Sequence, residues 1–482
     1  MIDRDAVRAN AKYLRNVRPV DPEEIHEYVE GTPHPAVVRE VLREEAYDLG
    51  LRERDDGTFV PAGDDPAPRP GWEPTSFPEA YAFALEDRLV ERYGANWHRG
   101  DSGDELRAAI RRLKEDYYRG NPVEYDEVAA LGYAIYHLPD YYATIGYVLD
   151  DLVERELLSR TLRVLDVGAG VGGPALGLHD YLPEDAVVDY HAVEPSPAAD
   201  VLERLLGETG RNFRSTVHRE TAEAFDPDAV IERGGDDGDG DGDGDGFDLV
   251  VFANVLCELD DPAAVASRYL DAVAADGSFL AIAPADRDTS IGLRAVERSL
   301  APPDAPVSVY APTLRLWPGA APSDRGWSFD RRPDVAAPGF QRRLDEAGED
   351  DGTFRNETVQ FSYAILRPDG ARRAEVRADP DRHATMAEME RHVTNRIDLL
   401  AVKLSRDLTD DPDANPLFKV SDGSESTDHY AVSTTRDPLN EALVTADYGA
   451  VLAFENVLCL WNDDEGAYNL VVDDETVVDL VA

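Results

Sequence analysis

The stretch Val164-Leu165-Asp166-Val167-Gly168-Ala169-Gly170-Val171-Gly172-Gly173 decides how the rest of the chain is read. An apolar strand runs straight into a glycine-rich turn, and side chains at those glycine positions would occupy the space of a ligand lying on the backbone. Leu176 and Leu178 continue as a helix whose amide-rich N-terminus faces the same crevice. Working outward, Arg163–Val167 reads as a first strand and Val187–Val193, ending in Glu194-Pro195, as a second. Arg214–His218, Phe247–Asn254 and Gly277–Ala283 follow as third, fourth and fifth strands. Strands alternating with helices mean a doubly wound α/β sheet whose ligand sits at the carboxyl ends of the strands.

The glycines alone do not choose the ligand, because Gly168-x-Gly170-x-x-Gly173 also fits a dinucleotide fingerprint, with Glu194 near the distance for a ribose contact. Asp166 favours S-adenosylmethionine over NAD. Two residues before the first glycine, a carboxylate faces a methionyl ammonium, whereas it would repel a pyrophosphate. The expected cofactor site is Asp166, Gly168, Ala169, Gly170 and Gly172 in the loop, with Glu194 and Pro195 at the ribose. Glu220 and Thr221 are expected to border the adenine and Asn254 to lie beside the methyl group. The competing reading is a glycine turn that serves only tight helix–sheet packing. The expected fold is therefore a class I methyltransferase-type sheet. No convincing base stands out, and Asn254 is the one candidate for a catalytic role. Asn254-Val255-Leu256-Cys257 is not the tetrad that grips exocyclic amines, Cys257 and Cys459 read as buried small hydrophobes, and His179 and His191 read as structural.

Composition bounds the rest. The 482 residues are too many for one hydrophobic core. The net charge is −50, with 98 acidic against 48 basic residues, and the lysines are Lys12, Lys114, Lys403 and Lys419. Acids spread through every segment point to a protein of an extreme halophile, in which molar salt screens self-repulsion. Two cysteines support neither a disulfide framework nor a four-thiolate metal site. With no long apolar run and no signal-like start, the expectation is a cytoplasmic protein with no membrane partner.

Residues 1–62 read as three short helices and a hairpin turning at Asp56-Gly57, a winged-helix-like module for protein contacts or nucleic acid. Residues 63–78 read as an extended, mobile linker, 79–158 as a helical cap rich in tyrosine, and 159–370 as the cofactor domain. Gly234–Gly246, with its Asp-Gly repeat, reads as a solvated insertion. From about 385 to 482 short strands suit a small β-barrel of oligonucleotide-binding (OB) type.

With these pieces placed, the chain resembles the mitochondrial-type small-ribosomal-subunit-associated methyltransferase-like family, which also has archaeal members. The resemblance rests on Tyr133–Ala143, Val164–Gly172, Asn254–Leu259 and Phe361–Arg367, within roughly 130–370. It implies a protein acting on small-subunit rRNA or in small ribosomal subunit assembly, as a methyltransferase or a non-catalytic factor; a small-molecule methyltransferase is the alternative. Members commonly hold an iron–sulfur cluster on cysteines; here the matching stretches are Pro312-Thr313, Trp317-Pro318 and Trp327-Ser328-Phe329, so no iron–sulfur cluster is expected. Ala283-Pro284-Ala285 replaces the family's Glu-Pro-Gly element.

Overall fold

A computed structural model describes residues 2–63, 65–119, 121, 125–234, 246–303, 305–322, 327–349, 352–409, 411 and 413–482. The Asp-Gly repeat falls outside these residues except at its two ends. The chain divides into two compact units, the first made of residues 1–253, 272–277 and 333–359, the second of 254–271, 278–332 and 360–482.

The first unit opens with helices α1 (Arg4–Leu14), α2 (Pro22–Ile25) and α3 (Pro35–Glu44) and the hairpin β1 (Leu51–Glu53) and β2 (Phe59–Pro61). Asp3 and Asp21 cap the first two helices by accepting from the amides of Ala6 and Glu23. Val7, Ala11, Val38, Leu42 and Phe59 form a small core of this module. Its polar face is not free for a groove of DNA. Glu40 and Glu44 pair with Arg214 at 3.2 and 3.3 Å, and the Glu53 amide donates to Asn212 at 2.8 Å. Asp48 meets Arg163 at 2.8 Å, while Tyr47 donates to Asp248. These partners lie at the amino-terminal ends of the sheet strands, so the module packs against the end opposite the ligand crevice. Its acidic third helix is spent on that contact.

Residues 65–78 depart from the mobile linker expected at 63–78. Proline and glycine prevent regular structure there, yet Trp72 is buried, donating its Nε1–H to the Ala143 carbonyl at 2.8 Å, and the Ala67 amide donates to Leu158. Helices α4 (Glu79–Tyr93), α5 (Gly100–Arg119) and α6 (Glu127–Val153) follow, the last capped by Asp126. The parallel strands come next: β3 (Thr161–Val167), β4 (Val187–Val193) and β5 (Phe213–His218), with α7 (Gly173–Tyr181), α8 (Ala198–Leu206) and α9 (Asp228–Gly234) between and after them, then β6 (Phe247–Ala253). The strands lie in the order β5-β4-β3-β6 and every pairing is parallel.

In the second unit, α10 (Pro262–Leu270) precedes β7 (Val273–Pro284), whose residues from Ser278 belong here; α11 (Arg287–Leu300), β8 (Ser308–Ala311) and β9 (Asp330–Arg332) follow. Helix α12 (Gly339–Glu346) returns to the first unit. Strand β10 (Val359–Arg367) runs antiparallel to both β7 and β8, so this part of the α/β fold is not parallel as strand–helix alternation implied. The fold is that of a class I methyltransferase.

The C-terminal strands are β11 (Arg396–Lys403), β12 (Leu417–Ser421), β13 (His429–Ser433), β14 (Val451–Asn462), β15 (Ala467–Val472) and β16 (Val477–Leu480), with the short helix α13 (Ala442–Thr445) between β13 and β14. Pairing runs β11-β12-β13-β15-β14, and β14 returns to β11, closing a five-stranded barrel around Leu399, Phe418, Leu452 and Leu470. The β13–β15 pair is parallel and all other pairs are antiparallel, the OB arrangement. Residues 386–392 form 3-10 turns rather than the expected extended chain.

Helix α6 crosses α7 at a separation only glycine permits. A Cβ at Gly177 would stand 2.3 Å from both the Tyr142 carbonyl oxygen and Ile145 Cγ2, and one at Gly173 would stand 2.8 Å from Tyr141 Cβ. In an open helix Gly→Ala stabilises by about 1 kcal/mol. Here Gly177→Ala is expected to do the reverse and lower the denaturant midpoint; an unchanged or raised midpoint would show that the crossing is not tight.

Candidate cofactor site

Strand β3 carries Asp166 to the carboxyl end of the sheet, between Ala192 of β4 and Val251 of β6. The chain then turns through left-handed backbone at Gly168, Gly170 and Gly172, with φ of 69°, 54° and 92°. Amides of Gly168 and Ala169 both donate to the Val193 carbonyl, at 2.8 and 3.2 Å, tying the loop to the end of β4. At Gly172 a Cβ would strike Leu202 Cδ1 at 2.6 Å, so that glycine serves packing. At Gly170 the nearest atom to a Cβ is 3.9 Å away, so there a side chain would fill open crevice.

Glu194, buried at the tip of β4, is the second anchor. Its Oε2 accepts from the Gly170 amide and its Oε1 from the Ser196 amide, both at 2.9 Å. Each oxygen keeps a further lone pair for a hydroxyl. Pro195 is exposed beside it, and Glu220 and Thr221 are exposed just beyond the carboxyl end of β5. The Thr221 carbonyl and hydroxyl accept from the Ala224 amide.

Asp166 is 1% exposed. The Tyr190 hydroxyl donates to its Oδ2, and Oδ1 has no partner. Burial pushes this carboxyl up to about 7, opposed by the Tyr190 hydrogen bond and assisted by Glu194. A buried carboxylate with an orphan oxygen beside an open glycine loop fits a cationic group such as the methionyl ammonium of S-adenosylmethionine. The residues of the loop, Asp166 and Glu194 thus fit the cofactor, which supplies an electrophilic methyl group when bound.

Asn254 belongs to the second unit. Its backbone is left-handed (φ 63°), its amide donates to the Ile282 carbonyl at 2.9 Å, and its buried Oδ1 has no partner. Cys257 is exposed, against the expected burial, because it lies on a short 3-10 turn after Asn254; Cys459 is buried in the barrel. His179 is structural, held by Tyr81 and Asp180 and accepting from the Gly210 amide, and His191 stacks on His218.

Sequence reading left the acceptor side unassigned, and one feature of α6 bears on it. Tyr133, His137 and Tyr141 recur every four residues, with Tyr125 against Tyr133 at 5.8 Å between centroids. The His137 and Tyr141 rings are stacked at 5.1 Å. Tyr141 is the residue whose Cβ presses on Gly173, so the row begins at the start of α7. Asp140 stands 3.5 Å from His137 Nδ1, and its buried Oδ1 is unpartnered. The i, i+4 spacing was the available signal. A cleft of about 950 Å³ in the first unit lies elsewhere, between the β1–β2 hairpin and the start of β4. Among the described residues no cluster of three or more His, Cys, Asp or Glu is placed to hold a metal, and no helix is long and apolar enough to cross a membrane.

Residues 141–335 match a family model described as a methyltransferase domain. Residues 4–55 and 387–481 match the N-terminal and C-terminal models of a domain-of-unknown-function family, DUF8157. A comparison with curated proteins finds no match. Among solved structures the chain is similar to the mitomycin 7-O-methyltransferase, at 15% identity over 58% of this chain and 76% of that one, with a TM-score of 0.23. It is similar to the plantazolicin methyltransferase BpumL at 10% identity, 60% and 98% coverage and TM-score 0.29. The O-methyltransferase of neocarzinostatin biosynthesis gives 16% identity, 76% and 95% coverage and TM-score 0.27. Residues 141–335 thus match a methyltransferase domain, the strand order is that of the class I fold, and the glycine loop, Asp166 and Glu194 fit S-adenosylmethionine.

Two consequences of Asp166 are measurable. Its raised value means the folded, unliganded chain loses stability as pH rises from about 4 to about 7, where the buried group ionises. Asp166→Asn is therefore expected to raise the melting temperature at pH 8 while weakening S-adenosylhomocysteine binding by at least about tenfold. In the wild type, binding is expected to weaken as pH falls through 7, with proton release on binding visible in calorimetry as a buffer-dependent enthalpy.

Proposed function

We propose that this chain transfers the methyl group of S-adenosylmethionine to a small hydroxylated acceptor seated against the aromatic row of α6. The observation that carries the cofactor reading is the unpartnered buried Oδ1 of Asp166 beside the glycine loop. The aromatic row favours a small acceptor: flat faces at Tyr133 and Tyr141 flank an imidazole able to take a proton, with Asp140 beside it. Methyl transfer needs in-line approach and a nucleophile that loses its proton, and His137 fits that second need.

A ribosomal acceptor is the reading the family resemblance favours over residues 130–370. The barrel gives it little electrostatic help. OB barrels grip oligonucleotides through the loop joining their first two strands and the loop joining their last two. Here those loops carry Asp407, Asp411 and Asp413, and Asp463, Asp464 and Glu465. A halophilic setting would screen these charges.

Transfer of labelled methyl to small phenols, to RNA and to ribosomal subunits, each at low and molar KCl, tests the choice. The small acceptor is expected to be labelled. His137→Phe is expected to lower that turnover by about 10²-fold with S-adenosylhomocysteine affinity unchanged. Labelling of RNA or subunits alone would replace this acceptor with the ribosomal one, and cofactor binding without transfer to any of them would favour a non-catalytic assembly factor.

A further inference from the structure

We propose that the cleft lined by Arg315, Arg372 and Arg377 is a binding site for a phosphate-bearing ligand. The cleft lies wholly in the second unit, lined by residues 302–303, 305–309, 315, 317–320, 370, 372 and 377, and has a volume of about 340 Å³. That is the size of a small-ligand site. Its described lining holds three arginines and no carboxylate, in a chain with 98 acidic and 48 basic residues. Chance placement in such a chain would put about two acids there for each base.

Each arginine keeps donor capacity beyond the bonds it makes. Arg315 donates to the Ala301 carbonyl and reaches Glu297 at 3.4 Å, but its buried Nε has no acceptor. Arg372 donates one Nη–H to the Arg315 carbonyl at 2.8 Å. Its guanidinium is pushed below the usual arginine range, first by burial and then by Arg377 and Arg315, against the opposing pull of Glu375. Arg377 is exposed and makes no ion pair or side-chain hydrogen bond among the described residues. The Ala378 amide donates to the Leu316 carbonyl at 2.9 Å, which pins the two arginine-bearing segments side by side. Trp317 is fixed in the wall by its Nε1–H donating to Asp422 Oδ2 at 2.7 Å.

Gathering like charges in a partly desolvated cleft costs free energy unless an anion occupies it. Guanidinium forks match the oxygens of a phosphate, which accepts from two of them at once. The ligand chemistry is a phosphate ester or diphosphate, either of a free small molecule or of an RNA backbone.

Calorimetry on the full chain with inorganic pyrophosphate is the direct test, at low and at molar KCl. Saturable binding is expected, weakened by at least about tenfold in Arg377→Gln and in Arg372→Gln. S-adenosylhomocysteine affinity, assigned under the proposed function chiefly to Asp166, Glu194 and the glycine loop, is expected to be unchanged in both, which separates loss of this site from misfolding. Arg377 is exposed and its side chain makes no ion pair or hydrogen bond among the described residues, so its variant keeps the test sound if Arg372→Gln is unstable. A decaribonucleotide that displaces pyrophosphate, and is itself lost in Arg377→Gln, would assign the phosphate to RNA; failure to displace it would assign a free phosphate ester. No saturable pyrophosphate binding, or binding equal in the wild type and Arg377→Gln, would overturn the proposal.

Discussion

The cofactor loop is held from two sides by contacts that leave almost no freedom. From one side α6 lies on Gly173 and Gly177 so closely that a methyl group at either position would overlap backbone or side chain. From the other, the Glu194 carboxylate ties the amides of Gly170 and Ser196 together. Between these contacts the chain leaves β3 and enters α7 within five residues, which requires left-handed backbone at three of them. The same closeness brings the Tyr133–His137–Tyr141 row of α6 to the start of α7. Cofactor loop and aromatic row are therefore two products of one helix crossing.

Asp166 shows how a site of this kind is maintained against stability. A carboxyl group that is buried and satisfied on one oxygen only disfavours its own ionised form, and burial is the larger cause. The same unsatisfied oxygen is open to a cation, which is the observation the proposed cofactor site rests on. The N-terminal module shows the opposite economy. Arg163 is buried but lies between Asp48 and Asp189, at 2.8 and 3.1 Å, so its charge is balanced and its role is structural. Its companions Tyr47, Glu53 and Asp248 complete a polar seam at the amino ends of the strands.

Much of this was legible in the sequence because it rests on local rules. Residues 164–173 specify strand, turn and helix by themselves, since only glycine enters that turn cheaply. Residues 1–62 read as three short helices and a hairpin, residues 79–158 as helical and residues from about 385 as short strands, and the structure holds these elements in those stretches. Misreadings came where a distant partner outweighed local chemistry. Proline and glycine made residues 63–78 read as mobile, yet one indole N–H bonded to Ala143 lays that segment along α6. Cys257 read as buried because cysteine usually is, but a 3-10 turn exposes it.

The sequence by itself determined the α/β class, the glycine-rich turn after the first strand of the sheet, the strand-rich C-terminal part and the acidic composition, because each follows from neighbouring residues or from composition. Only the tertiary structure decided the rest. The β11–β14 pairing that closes the barrel and the parallel β13–β15 pair join strands far apart in the chain. Antiparallel pairing of β10 with β7 and β8 likewise depends on which edges are left open. Arg315, Arg372 and Arg377 share a cleft because Ala378 bonds to Leu316, a contact across about sixty residues that no local pattern encodes. Hydrogen bonds between distant backbones are paid for by closing a loop, and that choice is made by the whole fold.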